Sequence, residues 1–314
     1  MNIVCVNIGK INYDGKLDIH CIPGNVTCYD DSTPKQLLER IQDADIVVTK
    51  EYLITKEMID QFPSNVKMIC EAGTGYNNID LSACKEKGIM VCNTPAYSTK
   101  RVAHTVILLM LMLASSMTKQ QRMLFEKDHR NFVEHMMVDH IELNDKTIGI
   151  IGEGNIGKEV IKIAQVLDMK VLVYTRTPKD SQGVTYVSLE DLLKQSDVVS
   201  LHCPLTTETK HLINTNTLRL MKPTAFLINT SRGALVDEEA LIMALEAGVI
   251  AGAGLDVQEI EPPREDHPFY NMDRVVLTPH MGWRGLETRQ RLLRLVRETI
   301  QAFMEGKAIH VVSK

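Results

Sequence analysis

The sequence predicts an α/β protein of two doubly wound parallel-sheet domains, one inserted into the other. Three observations carry this. Short apolar strands alternate with helical stretches along most of the 314 residues, the pattern of parallel sheets covered by helices. The strands fall into two series, one ending before residue 98 and one beginning at residue 147. A helix and a last apolar stretch follow the second series and can return to the first, so the first domain would be built from both chain ends. The expected boundaries are 1–98 plus 285–314 for one domain and 99–284 for the other, including the linking helix.

In the first series, "NIVCVNI", "ADIVVT", "KMICEAG" and "IMVCNTP" read as strands, with "TPKQLLERIQD" and "DLSACKEKG" as helices between them. A long helix over 99–118 is almost wholly apolar in its middle, which predicts burial on all sides, between the domains. The second series is "TIGIIG", "KVLVYT", "VTYVS", "DVVSLH", "TAFLINT", "GAGLDV" and "VVLTPH". In the closing helix, Leu292, Val296, Ile300 and Phe303 share one face, Gly306 is placed to cap it, and "AIHVV" follows.

Bulk properties narrow the function. Apolar residues at 44% and charged residues at 24% are ordinary for a globular protein of this length. A net charge of −5 offers no electrostatic attraction to nucleic acid or an anionic membrane. The seven cysteines (5, 21, 28, 70, 84, 92 and 203) are scattered and never spaced as CxxC, as expected of reduced thiols rather than a disulfide frame or a metal site. The start "MNIVCVNIGK" reads as a strand rather than a signal peptide, and the apolar run Val106 to Ala114 is too short to cross a bilayer. These features point to a soluble cytoplasmic protein.

Gly152, Gly154 and Gly157 form GxGxxG between the strand "TIGII" and a helix. The first glycine permits a tight turn, the second lets a pyrophosphate approach the backbone, and the third lets helix pack on strand, with the helix N-terminus facing the phosphates. In this context the motif predicts a dinucleotide site. The residue ending the next strand is usually an acid that accepts from a ribose 2′-OH, but here "YTRTP" supplies Thr175, Arg176 and Thr177. Arg176 favours a 2′-phosphate through charge-assisted contacts, hence NADP(H) over NAD(H). The alternative is a surface arginine stacked on the adenine, with NAD still accepted.

Three further stretches, "LINTSRGALVDEEAL", "GLDVQEIEPP" and "LTPHMGWRG", each follow a strand expected to end on one sheet edge, where ligands bind in open α/β sheets. They bring Arg232, Glu261 and His280 to that edge: a carboxylate clamp, and a proton donor held by an acid. Singly, each has an ordinary explanation as a surface arginine, a loop acid or a strand terminator. Asp237 reads as a helix N-cap.

With "GTGYNNIDL", "TIGIIGEGNIG", "LHCPLTTETKHLI" and "GAGLDVQEIEP" added, the whole chain resembles, in one order, the D-isomer-specific 2-hydroxyacid dehydrogenases. The resemblance implies a flavodoxin-like substrate domain, an inserted Rossmann domain, and a homodimer whose interface includes the long apolar helix. It implies that Arg232 pairs with the substrate carboxylate, that His280 gives a proton to the 2-oxo group, and that Glu261, directly before Pro262, holds the imidazole and favours its protonated form. Backbone N–H groups around Gly73, Thr74 and Gly75 would complete the carboxylate pocket. Toward the cofactor it places Asn155 and Ile156 on the pyrophosphate, and His202, Cys203, Pro204 and Thr209 on the adenine side. Thr230 and Asp256 would face the nicotinamide half, with packing the role expected of the Cys203 thiol. His104 departs from the Glu or Gln usual in the family.

The ending "PHMGWRGLETRQRLL" is closer to glycerate and hydroxypyruvate reductases than to the commoner "PHxGGxTxEA". Trp283 would then stand over the substrate or, alternatively, anchor the helix in the core; Tyr52 would supply another wall. The implied substrate is a small 2-oxo or D-2-hydroxy acid, hydroxypyruvate or glyoxylate first, with 3-phosphoglycerate or D-lactate as alternatives. A non-catalytic dinucleotide sensor on the same fold is the competing class.

Overall fold

The computed structural model describes residues 1–178 and 181–313. Lys179, Asp180 and Lys314 were assigned to the two domains above and lie outside the described residues. The chain divides into two compact units, Met1–Ser98 with Trp283–Lys314, and Thr99–Gly282. In this division Trp283 and Arg284 fall with the first unit.

The first unit holds a five-stranded parallel sheet: β1 (Asn2–Cys5), β2 (Asn25–Cys28), β3 (Ile46–Thr49), β4 (Met68–Glu71) and β5 (Met90–Cys92), in the order β2-β1-β3-β4-β5. This is the flavodoxin-like order. β3 and β4 are buried along their whole length, which is why both read as continuous apolar runs. β2 escaped the sequence reading. It is an edge strand whose residues alternate between exposed and half-buried, so Asn25 and Thr27 dilute its apolar signal. Helices cover both faces. Thr33 and Gln36 close a capping box at Pro34–Arg40. On the other face Leu292, Val296 and Ile300 of the helix Leu286–Met304 are buried against Ile3, Cys5, Met68 and Cys92. That helix ends at Gly306, in the left-handed region at φ 74°. The last segment returns to the sheet, Val312 donating to the Val91 carbonyl at 2.9 Å.

The second unit holds seven parallel strands: β6 (Thr147–Ile151), β7 (Lys170–Tyr174), β8 (Thr185–Tyr186), β9 (Val198–Leu201), β10 (Phe226–Asn229), β11 (Gly252–Leu255) and β12 (Val275–Leu277). Their order is β12-β11-β10-β9-β6-β7-β8. The order reverses at β6 and β9, and ligands bind at the carboxyl ends of strands beside such a switch point. All seven apolar runs of the second series are strands here.

The expected helix over 99–118 is two helices. Thr99–Ala114 ends before Ser116, which takes a left-handed φ of 45°, and Met117–Phe125 leaves at 62°. Nor is the first helix buried all round. Val102, Val106, Leu109 and Leu113 pack inside the second unit, whereas Leu108 and Leu111 are exposed. No single helix among the described residues is long and apolar enough to cross a membrane.

Candidate active site

Arg232, Glu261 and His280 follow β10, β11 and β12, three neighbouring parallel strands, and so stand at the carboxyl edge of one half of the sheet. The backbone around Arg232 is fixed by Asn229, a buried residue whose side-chain amide donates to the Arg232 carbonyl (2.8 Å) and whose Oδ1 accepts from Ser231 N–H (3.0 Å). Beside it Gly233 is required for space. A Cβ there would lie 2.0 Å from the carbonyl group of Gln258. This contact brings the segment after β11, which carries Glu261, against the segment after β10.

Glu261 bridges two groups. Its Oε1 accepts from Gln258 N–H (3.1 Å), and its Oε2 lies 2.8 Å from His280 Nδ1. With Nδ1 turned to the carboxylate, the ring's other nitrogen is directed away from Glu261. His280 itself sits at φ 48°, a conformation a non-glycine residue keeps only when its surroundings enforce it. The enforcing group is Asp256, 1% exposed. Its Oδ1 accepts from the Thr278 hydroxyl (2.5 Å) and Met281 N–H (2.8 Å), and its Oδ2 from Gly282 N–H (2.9 Å). Asp256, expected toward the nicotinamide half, has its carboxylate on the turn that carries His280.

A further set steadies the Glu261 segment and was not foreseen. Glu238 accepts from Glu259 N–H (3.2 Å) through one oxygen and lies 2.9 Å from His267 Nε2 through the other. Glu259 in turn meets His211 Nε2 at 2.7 Å. In the sequence Glu238 is only the first helical residue after the N-cap Asp237, whose Oδ1 does accept from Ala240 N–H at 3.0 Å.

The glycine loop fits a dinucleotide. Gly152 is left-handed at φ 101°, and a Cβ on it would lie 2.8 Å from the backbone of His202 and Cys203. A Cβ on Gly157 would lie 2.3 Å from the Gly152 carbonyl oxygen, while one on Gly154 would meet nothing within 4 Å. The open flank of Gly154 adjoins the N-terminus of the helix Asn155–Val166, which has no side-chain cap. Free N–H groups there suit a pyrophosphate. Two buried polar atoms of the same unit, His202 Nδ1 and Thr230 Oγ1, have no hydrogen-bond partner among the described residues. Burial holds His202 down at about 3, so it is neutral, with Nε2 2.9 Å from Ser200 Oγ. Burial likewise raises the Cys203 thiol, which fits packing rather than nucleophilic chemistry.

Around the end of β7, Thr175 is half-buried and Arg176 and Thr177 are exposed. The Arg176 charge acts on both Cys203 and Glu208, which places it beside the segment after β9. Thr209 folds that segment, accepting from Thr206 N–H and donating to the Pro204 carbonyl, both at 2.7 Å. Glu153, between the first two glycines, is buried and accepts from the Ser181 hydroxyl and from Tyr186 Oη at 2.8 Å. The sequence shows it as the acid between Gly152 and Gly154.

In the first unit, the loop after β4 carries Gly73, Thr74 and Gly75. Carbonyls at 73 and 74 accept from Thr94 N–H (2.9 Å) and the Asn93 side chain (2.8 Å), while the loop's own N–H groups at 73–75 donate to no protein atom among the described residues. Below the loop lie two residues the sequence reading missed, Lys50 and Glu71, 2% and 0% exposed. A charged residue just past a central strand, as in "VVTKEY", was the available signal. Lys50 Nζ is hydrogen-bonded to Glu51 and stands 4.1 Å from the centroid of the Trp283 ring. Glu71 accepts from Glu51 N–H (2.9 Å) and Asn78 Nδ2 (3.0 Å). Trp283 is thus a core residue of the first unit with a cation on its face. Tyr52 donates its hydroxyl to the Ser32 carbonyl at 2.9 Å, a structural bond. His104 is exposed on its helix.

Residues 107–282 match the family model for the D-isomer specific 2-hydroxyacid dehydrogenase NAD-binding domain. That match, with the glycine cradle, defines a nicotinamide-dependent oxidoreductase. The chain is 36% identical to a hydroxypyruvate reductase of Blautia hydrogenotrophica, covering 99% of this chain and 97% of that one. It is 40% identical to a glyoxylate reductase of Thermococcus litoralis, over 86% of this chain and 84% of the other. Among solved structures, an acyclic imino acid reductase in complex with NADPH and D-Arg superposes with a TM-score of 0.86 at 31% identity, covering 99% of this chain and all of that one. The protein belongs to the D-isomer-specific 2-hydroxyacid dehydrogenases, enzymes that act on the CH–OH group of their donors with a nicotinamide cofactor.

Burial lifts the Glu71 carboxyl from the usual carboxylate range to about 7, against the pull of the Lys50 ammonium. A raised carboxyl means that the folded state holds a proton the unfolded state releases at lower pH. This contribution to stability is complete below about 4.5 and disappears as the pH rises to about 7. Glu71→Gln should therefore remove a downward slope of stability between pH 5 and 7, read from denaturation midpoints of both proteins. Parallel pH profiles for the two proteins would contradict the assignment.

Proposed function

We propose that this enzyme reduces a small 2-oxo acid to the D-2-hydroxy acid, hydroxypyruvate or glyoxylate first, with NADP(H) preferred to NAD(H). The observation that carries the reading is the His280–Glu261 pair at 2.8 Å, set one strand from Arg232 on a sheet whose switch point holds the glycine loop. The names of the relatives, a hydroxypyruvate reductase and a glyoxylate reductase, support the substrate class.

In this reading the cofactor, when bound, supplies the hydride. Its pyrophosphate lies on the backbone of Gly154, Asn155 and Ile156. Arg232 takes the substrate carboxylate and draws charge from the 2-oxo group with its planar fork. In the first unit, Gly73, Thr74 and Gly75 offer N–H groups that suit a carboxylate. Glu261 holds His280 Nδ1–H, which leaves Nε2 to deliver a proton to the carbonyl oxygen and to recover it in the reverse direction. Asp256 is a positioning residue, acting through the turn that carries His280. Arg176 would bind the 2′-phosphate, and Thr175 makes room for it where an acid would repel it. The NADPH held by the imino acid reductase structure is consistent with that preference.

The exposed apolar surface of the second unit suggests a homodimer. Phe125, Phe132 and Val133 are 84%, 76% and 75% exposed, and Met136 and Leu124 add to them. Large exposed apolar side chains gathered in one short segment of chain favour an interface there. It lies on the segment after the long helix, whereas the core of that helix is already used inside the unit.

His280→Ala should lower kcat for reduction by about a thousandfold while leaving dinucleotide affinity intact, and near-normal turnover would refute its role. Thr175→Asp with Arg176→Ala should shift the NADPH:NADH ratio of kcat/KM toward NADH by about tenfold or more. An unchanged ratio would refute the 2′-phosphate reading. Light scattering should give about twice the 35.3 kDa chain mass, falling to the monomer in Phe125→Asp with Phe132→Asp; a monomeric parent would refute the dimer.

A further inference from the structure

The sheet of the first unit carries a row of thiols that the proposed reaction does not use. The strand registers set Cys28 of β2 beside Cys5 of β1, and Cys5 beside Val48 of β3. They continue with Val48 beside Cys70 of β4, and Cys70 beside Cys92 of β5. All five side chains belong to the apolar cluster that includes Leu292, Val296 and Ile300, so they share one face of the sheet. Val48 divides the row into two dithiols, Cys28 with Cys5 and Cys70 with Cys92. Directly paired residues on neighbouring strands stand about 4.8 Å apart, inside the Cα separation of about 4.4–6.8 Å that a disulfide spans. Both pairs have the spacing for a bond, so their surroundings decide between them.

Cys70 and Cys92 are fully buried, and burial is the main cause that raises both thiols, Cys92 to about 11. Their edge of the sheet is covered by the returning chain end, where Val311 bridges to Cys92. The opposite edge is β2 itself, and there Cys28 is half-buried while Cys5 behind it is 1% exposed. A hydrogen bond from the Cys5 S–H pulls the Cys28 thiol below its ordinary value, against burial and the charge of Asp30. The same contact pushes Cys5 well above its own. Among the described residues Cys28 is the one cysteine lowered; Cys21, Cys84 and Cys203 are all raised, by burial first. A thiol that is both reachable and more readily ionised is where oxidation begins. The row is not a metal centre, since no group of three or more His, Cys, Asp or Glu among the described residues could hold a metal ion.

We propose that Cys28 and Cys5 form a peroxide-oxidisable dithiol, in which Cys28 takes oxygen from a hydroperoxide and Cys5 resolves it to a Cys5–Cys28 disulfide. The Cys28 sulfur attacks the hydroxyl oxygen of the hydroperoxide. An S–O bond forms, the O–O bond breaks, and the departing oxygen takes the proton that the thiol gave up. The Cys5 sulfur then attacks the sulfur of the sulfenic acid. An S–S bond forms, the S–O bond breaks, and the hydroxyl leaves as water with the Cys5 proton. Two electrons pass from the two thiols to the hydroperoxide, which ends as an alcohol, or as water when the oxidant is hydrogen peroxide. A dithiol reductant returns the pair by exchange. The bond ties the edge strand to its neighbour at their carboxyl ends, where Tyr29 N–H already donates to the Cys5 carbonyl at 2.9 Å.

The test treats the reduced full chain with hydrogen peroxide, blocks the remaining thiols under denaturing conditions, and reads tryptic peptides by mass spectrometry. A Cys5–Cys28 link should form at least about tenfold faster than the Cys70 and Cys92 thiols are lost, and a dithiol reductant should remove it. Cys21 and Cys28 share one tryptic peptide, so fragmentation assigns the bond. In Cys5→Ala the sulfenic acid should persist on Cys28 and be trapped by dimedone. In Cys28→Ser the Cys5 thiol should stay reduced under the same treatment. Should Cys5→Ala fail to fold, Cys28→Ser, on the edge strand, carries the test. A parent whose Cys5 and Cys28 stay reduced, or a bond from Cys28 to Cys21 instead, would overturn the pair. So would loss of the Cys5 thiol in Cys28→Ser at the parental rate, or a Cys70–Cys92 link forming as fast, which marks unfolding rather than access at the edge.

Discussion

The buried side chain of Asp256 is the interaction on which the proposed reaction centre depends. It sits just past β11, at 1% exposure, and spends both oxygens on the turn after β12. A buried polar group without partners is costly, and here three donors converge on the side chain, two of them backbone N–H groups. In return the turn has one conformation, and His280 is carried in the left-handed region with Nδ1 against Glu261. The same carboxylate would explain why Gly282 lacks a side chain: a Cβ there would lie 2.9 Å from Asp256 Oδ2.

Around this clasp, close backbone approach does what long side chains cannot. Gly233 lets the segment after β10 lie on the Gln258 carbonyl, and Gly157 lets the dinucleotide helix lie on the Gly152 carbonyl. Neighbouring strand ends are thereby drawn together, and Arg232, Glu261 and His280 share one edge without a long loop to span. Hydrogen bonds from Glu259 N–H to the Glu238 carboxylate and from the Asn229 amide to the Arg232 carbonyl further fix these segments. Rigid placement of this kind is what the proton donor and carboxylate clamp proposed for His280 and Arg232 would require, since small displacements weaken both.

Much of this was legible in the sequence, for identifiable reasons. Strands buried on both faces, such as "DVVSLH" and "TAFLINT", are unbroken apolar runs, and the strand–glycine–helix order around Gly152 has one common meaning. The edge strand at Asn25–Cys28 was not legible, because half of it faces solvent. The break at Ser116 was not either, since a left-handed serine between two apolar stretches leaves no periodic signal. At the site, residue types at strand ends pointed to Arg232, Glu261 and His280. Asp256, Glu238, Lys50 and Glu71 act through contacts between segments distant in the chain: Lys50 meets Trp283 across 233 positions, a relation no local pattern encodes. Trp283 could be read as wall or core from the sequence, and the structure makes it core, its indole N–H without a partner among the described residues.

The measurement that bears most directly on the account is the configuration of the product. Purified protein, hydroxypyruvate and NADPH should give one equivalent of glycerate per NADPH consumed, and chiral chromatography should find it to be the D isomer. An L product or a racemate would contradict the placement of Arg232 and His280 about the 2-oxo carbon. Tight NADPH binding with no glycerate formed would mean that the same clasp and glycine cradle serve a sensor rather than an enzyme.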